Sequence, residues 1–401
     1  MTLRAAELFA GVGGFRLGLE KSGIEVVWSN QWEPGHSKQW ASKIYESHFG
    51  KSGHVNRDIE SVLDGLETDS GLIEQFDVLV GGFPCQDYSV AKSLSSSLGL
   101  EGKKGVLWWQ IHRLISIRKP KYVLLENVDR LISSPSVQRG RDFAIMVSSL
   151  TTLGYHISWR VINAADFGHP QKRKRTFIFA QLKSTDVNIF DNEFPSKAPE
   201  EVQKFALSSD LVALSEAFNL GGKVSPFLTA GSANSSEVTT WKWQPLITQA
   251  TPLSRILESP ETVPSEFWIP TGQEEKWQFL KGGKKLSRLA KDGFAYSYTE
   301  GRMAFPDSLE KPARTIVTGE GGLTPSRFKH VIRQNGRLRR LTPLELERAN
   351  EFPDNWTRLI DGAIEVPAGR RAFLMGNALV VGVVEKLARQ LRNDHEAQSN
   401  R

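Results

Sequence analysis

A single cysteine, Cys85, stands in a chain of 401 residues. That scarcity excludes an internal disulfide and a zinc site built on several thiolates, and it leaves the thiol either a small buried side chain or a reactive group. No metal is expected. Long apolar runs are missing too, since none reaches the roughly 20 residues needed to cross a bilayer. The N-terminal MTLRAAELFAG lacks the charged-then-apolar layout of a secretory signal. No membrane partner is therefore expected, and the cytoplasm is the expected compartment. Acidic residues are the scarcer charge, 45 against 51 Lys and Arg, for a formal net charge of +6. Internal repeats and low-complexity tracts are absent.

Hydrophobic residues make up 39% of the chain, enough for a sizeable core and, at this length, for two domains. The basic residues gather in QKRKR (171–175), between Lys281 and Arg302, and between Arg327 and Arg348, where RQNGRLRR is densest. Any one of these reads equally well as a solvated face. The three together favour a nucleic-acid partner whose phosphates the Lys281 to Arg302 stretch would track.

Up to residue 182, short runs rich in Val, Ile and Phe (AAELFAG, EVVWSN, FDVLVGG, YVLLENV, SWRVINA, TFIFAQL) alternate with helix-length segments. That alternation predicts an α/β class with a mostly parallel sheet and crossover helices. Beyond Leu182 the texture turns to Pro, Ser, Gly and Trp, as in a second, smaller, irregular domain. The expected division is 1–182, 183–336 and 337–401. In the last part Thr342 before Pro343 has the N-cap arrangement, and VVGVVEKLARQLR forms a helix. The tryptophans of WKWQP (241–245) fit a core better than a base-stacking surface.

In ELFAGVGGFRLGLE (7–20) an apolar strand runs into Gly11, Gly13 and Gly14 and then a helix. Such a turn lets the backbone approach a nucleotide-like ligand, although glycine turns before helices are common. LVGGFPCQ repeats the layout with Cys85 at a strand end, and YVLLENV places Glu126 and Asn127 at another. A carboxylate in that position is either hydrogen-bonded structurally or held for acid–base work. In a parallel sheet all three strand ends converge on one crevice.

The elements FAGVGG, FPCQ, ENV, QKRKR, RRLTPLELERANEFP and GNALVV, in that order, resemble bacterial DNA (cytosine-5) methyltransferases over residues 1–182 and about 337–390. The resemblance implies a doubly wound S-adenosylmethionine-binding domain to which the C-terminal helix returns, a target-recognition domain between, and methyl transfer to carbon 5 of a cytosine flipped out of double-stranded DNA. It makes Cys85 the nucleophile, presented by Pro84. Glu126 contacts ring nitrogen 3 and the exocyclic amine, Arg175 contacts the base carbonyl oxygen, and Arg173 supports the closing loop QDYSVAKSLSSSLGLEGKKG. In that loop Ser89 and Lys104 would meet phosphates, Lys104 replacing the family's usual Arg. The cofactor pocket falls to Phe9, Gly11, Val12, Gly13, Gln31, Trp32, Asp58, Ile59, Pro84, Leu107 and Asn377. Gln31 stands where the family places a ribose-binding acid, and Glu33 nearby is a candidate substitute. Thr315 and Ile316 would border the place the flipped base leaves. A monomer is expected, either with a cognate restriction endonuclease as functional partner outside any stable complex or as an orphan methylase. The alternatives are an RNA-methylating relative and an inactive DNA-binding regulator.

Overall fold

The computed structural model describes residues 2–83, 107–182, 189–235, 237–289 and 295–399. Pro84, Cys85, Ser89 and Lys104 lie outside the described residues. Contacts divide the chain into two units, the first comprising 1–167, 174–248 and 381–401, the second 168–173 and 249–380.

In the first unit every run expected as a strand is one. The order is β1 (Arg4–Leu8), α1 (Gly14–Lys21), β2 (Glu25–Asn30), α2 (Trp40–Phe49), β3 (His54–Val55), α3 (Ile59–Thr68) and β4 (Val78–Gly82). Then come α4 (Leu107–Arg118), β5 (Tyr122–Val128), α5 (Arg141–Thr152), β6 (Tyr155–Asn163), β7 (Lys174–Leu182), β8 (Glu200–Phe205), α6 (Leu211–Ala217), β9 (Ala230–Ala233) and β10 (Val238–Lys242). The strands form one sheet ordered β3-β2-β1-β4-β5-β7-β6-β9-β10-β8. Neighbours are parallel from β3 to β5 and antiparallel thereafter. Following those pairings, β1 to β6 and β10 run one way and β7, β8 and β9 the other, so the sheet is mixed but mostly parallel. Successive residues of β4 and β5 are buried whichever face they point to, the pattern of strands covered on both faces. Leu79, Trp108, Val123, Phe143 and Trp159 belong to one buried cluster, each such side chain contributing about 1.5–3 kcal/mol.

Residues 189–248 belong to this unit, whereas the division read along the sequence assigns 183–336 to a recognition domain. AGSA and VTTWK carry weak strand signals, yet as β9 and β10 they extend the sheet. Gly231 makes this possible, because a Cβ there would lie 2.1 Å from the Trp159 ring. Trp243 is buried and stacks on Phe167 at 5.6 Å, which is a core role.

The second unit holds three separate hairpins: β11 (Lys284–Leu289) with β12 (Ala295–Glu300), β13 (Val331–Gln334) with β14 (Arg337–Arg340), and β15 (Leu359–Ile360) with β16 (Ile364–Glu365). Its helices are α7 (Glu274–Lys281), α8 (Pro343–Ala349) and α9 (Ala368–Asn377). Thr342 caps α8 in a capping box with Glu345, with Pro343 in the first turn, as the sequence predicts. The last helix, α10 (Val381–Ser399), returns to the first unit. There Gly18 of α1 lies against Val384, and the Ser22 hydroxyl donates to the Glu385 carbonyl at 2.9 Å. No helix of the described residues is long and apolar enough to cross a membrane.

Candidate active site

The chain winds outward from β1 through β2 to β3, then restarts on the opposite side of β1 with β4. The winding therefore reverses between β1 and β4, and it is at the carboxyl edge beside such a reversal that open α/β sheets hold ligands. The turn after β1 is strained. Phe9 has φ 55 and Gly13 has φ 90, and an aromatic residue in that region costs about 1–3 kcal/mol. Gly13 admits no side chain, since a Cβ would meet the Phe49 ring at 2.4 Å and the Tyr45 ring at 3.4 Å. It starts α1 without a side-chain cap, leaving first-turn amides to be met by other partners.

Gln31, at the end of β2, turns its Oε1 to this turn and accepts the Gly11 amide at 2.7 Å. Trp32 beside it is 39% exposed, a large apolar face open for stacking. Asp58 caps α3 by accepting the Glu60 amide at 3.0 Å, while Ile59 and Val12 are buried and Leu107 is half-buried. Glu33 spends one carboxylate oxygen on the Ala41 amide in the first turn of α2, at 2.9 Å, which weakens its expected role as a substitute for Gln31.

Under the turn lies a buried polar cluster that the sequence reading missed. The Tyr45 hydroxyl donates to Glu7 Oε2 at 3.0 Å, and Arg16 donates to the Tyr45 hydroxyl at 3.3 Å. Burial pushes the Glu7 carboxyl up to about 8 against the pull of Tyr45 and Arg16. His54 stacks on Tyr45 at 4.6 Å and bonds Ser29 and Ser42 at 2.8 Å each. Burial, with the Arg16 charge, holds it down to about 4.

The register sets Gly82 of β4 beside Glu126 of β5, and Val128 beside Arg175 of β7. Arg175 Nε meets Glu126 Oε1 at 2.7 Å, with the two side chains 16% and 12% exposed. Glu126 Oε2 lies so close over Gly82 that a Cβ there would stand 3.2 Å away. Asn127 is buried and donates to the Phe83 carbonyl at 3.0 Å. The ENV segment thus clamps the chain two residues before Cys85 and presents a half-buried carboxylate and guanidinium beside that exit.

QKRKR is a strand-like run in which Gln171 and Arg173 are buried and Lys172 and Lys174 exposed. Arg173 belongs to the second unit, where its guanidinium donates to the carbonyls of Ile316 and Gly376 at 2.9 Å each. It ties these two segments together there, while the closing loop it is expected to support lies outside the described residues. The Thr315 hydroxyl donates to the Lys172 carbonyl, Ile316 is buried, and Asn377 ends α9 exposed. Gln171, unnoticed as a functional residue, accepts the Ile316 amide at 3.0 Å. Its signal was the two-residue spacing Gln171, Arg173, Arg175.

The basic footprint also shrinks. Lys281 is fully buried, with Nζ donating to the Lys329 carbonyl and standing 3.7 Å from Asp307. Arg339 is buried in a two-pronged pair with Glu345, and Arg340 donates to the carbonyls of Gly322 and Glu266. Lys285, Arg302, Arg333 and Arg337 remain exposed.

Residues 3–393 match the family model described as C-5 cytosine-specific DNA methylase. The chain is 42% identical to the type II methyltransferase M.Sau3AI of Staphylococcus aureus, over 97% of this chain and 95% of that protein. It is 35% identical to the type II methyltransferase M.HhaI of Haemophilus parahaemolyticus over 51% of this chain and 55% of that one. The solved structure of the Entamoeba histolytica methyltransferase EhMeth has TM-score 0.60 at 18% identity, covering 98% of this chain and 99% of that chain. At such identity the likeness concerns the fold alone.

Proposed function

The chain belongs to the C-5 cytosine-specific DNA methylase family, and we propose that it methylates a cytosine flipped out of a specific duplex sequence through a bond to Cys85, in a restriction–modification setting. The enzyme is a DNA (cytosine-5) methyltransferase, and S-adenosylmethionine supplies its electrophilic methyl group when bound. The residues at the β1 turn suit that cofactor. The start of α1 would hold its polar groups, Gln31 and Asp58 its hydroxyls and amine, and the Trp32 indole its purine. Ile59, Val12 and Leu107 would pack against it, with Pro84 and Asn377 assigned to it by the resemblance.

Carbon 5 of cytosine is too weak a nucleophile to take a methyl unaided. The Cys85 thiolate adds to carbon 6, and the displaced electron pair makes carbon 5 nucleophilic while charge builds on nitrogen 3. Glu126 shares a proton with that nitrogen, and Arg175, paired with it, balances the carboxylate and offers its guanidinium to the base carbonyl. After transfer the carbon 5 proton leaves and the sulfur is eliminated. Extrusion of the base costs a few kcal/mol of stacking. The second unit would meet the duplex with its exposed cations, and a two-stranded ribbon such as β11–β12 is of a size that a major groove admits.

The observation that carries this reading is the ENV segment: Asn127 on the Phe83 carbonyl, Glu126 over Gly82, and Arg175 on Glu126. Bisulfite sequencing of DNA from expressing cells maps the target. Duplex with 5-fluorocytosine at that target should then trap sulfur on carbon 6 only when S-adenosylmethionine is present, because fluorine cannot leave as a proton does. Peptide mapping should find the adduct on Cys85. Cys85→Ser should lose the adduct and nearly all turnover, on the order of a thousandfold or more, while still binding the duplex. An adduct elsewhere, or full activity of Cys85→Ser, overturns the assignment.

A further inference from the structure

Within the second unit, the Thr315–Ile316 segment and the end of α9 are fastened to each other from two sides. Arg173, 2% exposed, donates through Nη1 to the Ile316 carbonyl and through Nη2 to the Gly376 carbonyl. The Ile316 amide donates to Gln171 Oε1 at 3.0 Å, and Gln171 Nε2 donates to Asn350 Oδ1 at 2.7 Å. Asn350 Nδ2 in turn reaches the Met375 carbonyl at 3.0 Å. Both backbone polar groups of Ile316 are thus linked to the last turn of α9, one through a guanidinium and one through two amides. The segments also touch directly, since a Cβ on Gly376 would lie 2.5 Å from the Thr318 nitrogen.

We propose that Arg173 and Gln171 are positioning residues that couple cofactor binding at the Asn377 end of this bracket to DNA binding at the Thr315 end. The inference rests on the reading above, which assigns Asn377 to the cofactor and Thr315 and Ile316 to the DNA. The guanidinium is a planar fork with fixed donor directions, so a shift of one carbonyl degrades the bond to the other. Interior backbone packed without space for a single methyl group transmits that shift rather than absorbing it. Binding at one end then selects the arrangement the other end requires, and the coupling is reciprocal.

The test uses the full chain and S-adenosylhomocysteine, titrated by calorimetry without DNA and with saturating duplex carrying the mapped target. The ratio of the two affinities is the readout. In the native protein it should lie between about 5 and 150 in favour of the DNA-bound form. Arg173→Lys, which keeps the charge but not the fork, should bring it towards 1. Gln171→Met, which breaks the amide path without introducing a charge, should lower it in the same direction and serves where Arg173→Lys does not fold. If both variants weaken the two affinities in parallel and keep the native ratio, the bracket is merely structural and the proposal fails. A native ratio of 1 also sinks it. If the native protein binds no S-adenosylhomocysteine or no duplex, the underlying functional reading fails instead.

Discussion

At the carboxyl edge of the first unit's sheet, Glu126 and Arg175 pair while both stay partly open to solvent. In the second unit, cations of the same type are sunk among backbone carbonyls: Lys281 on Lys329, Lys329 on Gly322 and Thr324, Arg340 on Gly322 and Glu266. The difference follows from the backbone. A ten-stranded sheet satisfies its own carbonyls through its ladder, whereas the long irregular connections of 249–380 leave carbonyls that need donors from elsewhere. Lys and Arg carry several donors and no acceptor, so they suit that task. A run of positive charge therefore marks a nucleic-acid surface only where it stays exposed.

Two lysines four residues apart make the comparison breakable. Lys281→Met removes a buried cation beside Asp307, which keeps Arg314 as partner. The expected loss is about 1–2 kcal/mol in stability by denaturant titration, less than for a buried charge left alone, because Asp307 and the Lys329 carbonyl both keep Arg314. Lys285, exposed on β11, should behave in the opposite way. Lys285→Gln should leave the melting temperature alone and reduce the slope of log affinity for DNA against log salt by about 0.9, if that lysine meets a phosphate. A destabilised Lys285→Gln, or a stable Lys281→Met with a reduced salt slope, would reverse the assignment of the two.

Glu7 sharpens the contrast from the first unit, being a charge-capable group that its surroundings keep neutral. Below about pH 4.5 the carboxyl is protonated in folded and unfolded chains alike. As pH rises the unfolded chain ionises, while the folded one keeps its proton until about 8. Stability therefore falls through that window, by an amount on the order of 4 kcal/mol. Glu7→Gln keeps the shape and an acceptor for Tyr45 and should lose this slope, becoming the more stable form at pH 8 and above. His54, held down to about 4, contributes the opposite slope between 4 and 6.5. Arg16 and Glu20 of α1 and Tyr45 of α2 face the same cluster. All are common to both proteins, so the difference between the two stability curves isolates Glu7. Parallel curves would mean the carboxyl ionises in the folded state near its ordinary value.

The first unit was legible because its signals are local. Val- and Ile-rich runs become strands wherever the sheet can cover both faces, and FAGVGG, ENV and the Phe83 that opens FPCQ each sit directly at a strand end. The weak runs AGSA and VTTWK were not, since AGSA becomes a strand by pairing with β6, where Gly231 lies flat on Trp159, and VTTWK by pairing with AGSA and β8. The tie made by Arg173 was not legible because nothing near it in sequence reveals a partner 203 residues away at Gly376. Lys281 and Arg339 looked like surface for the same reason.

The smallest expected effect concerns Gln31, where the sequence departs from the acid its resemblance leads one to expect. Its Oε1 is committed to the Gly11 amide at 2.7 Å, so the group left to face the ribose is Nε2, a donor. In Gln31→Glu one carboxylate oxygen can keep the Gly11 amide while the other accepts a ribose hydroxyl. That charge-assisted bond is worth about 1 kcal/mol. Burying the new charge costs part of the gain, offset by the amides and dipole at the start of α1. The affinity for S-adenosylhomocysteine, measured by calorimetry at neutral pH, should therefore be unchanged to about tenfold tighter. The gain should vanish near pH 4, where the new carboxyl takes up a proton. Marked weakening at neutral pH would mean that the Gln31 side chain serves the Gly11 turn alone and that another group meets the ribose.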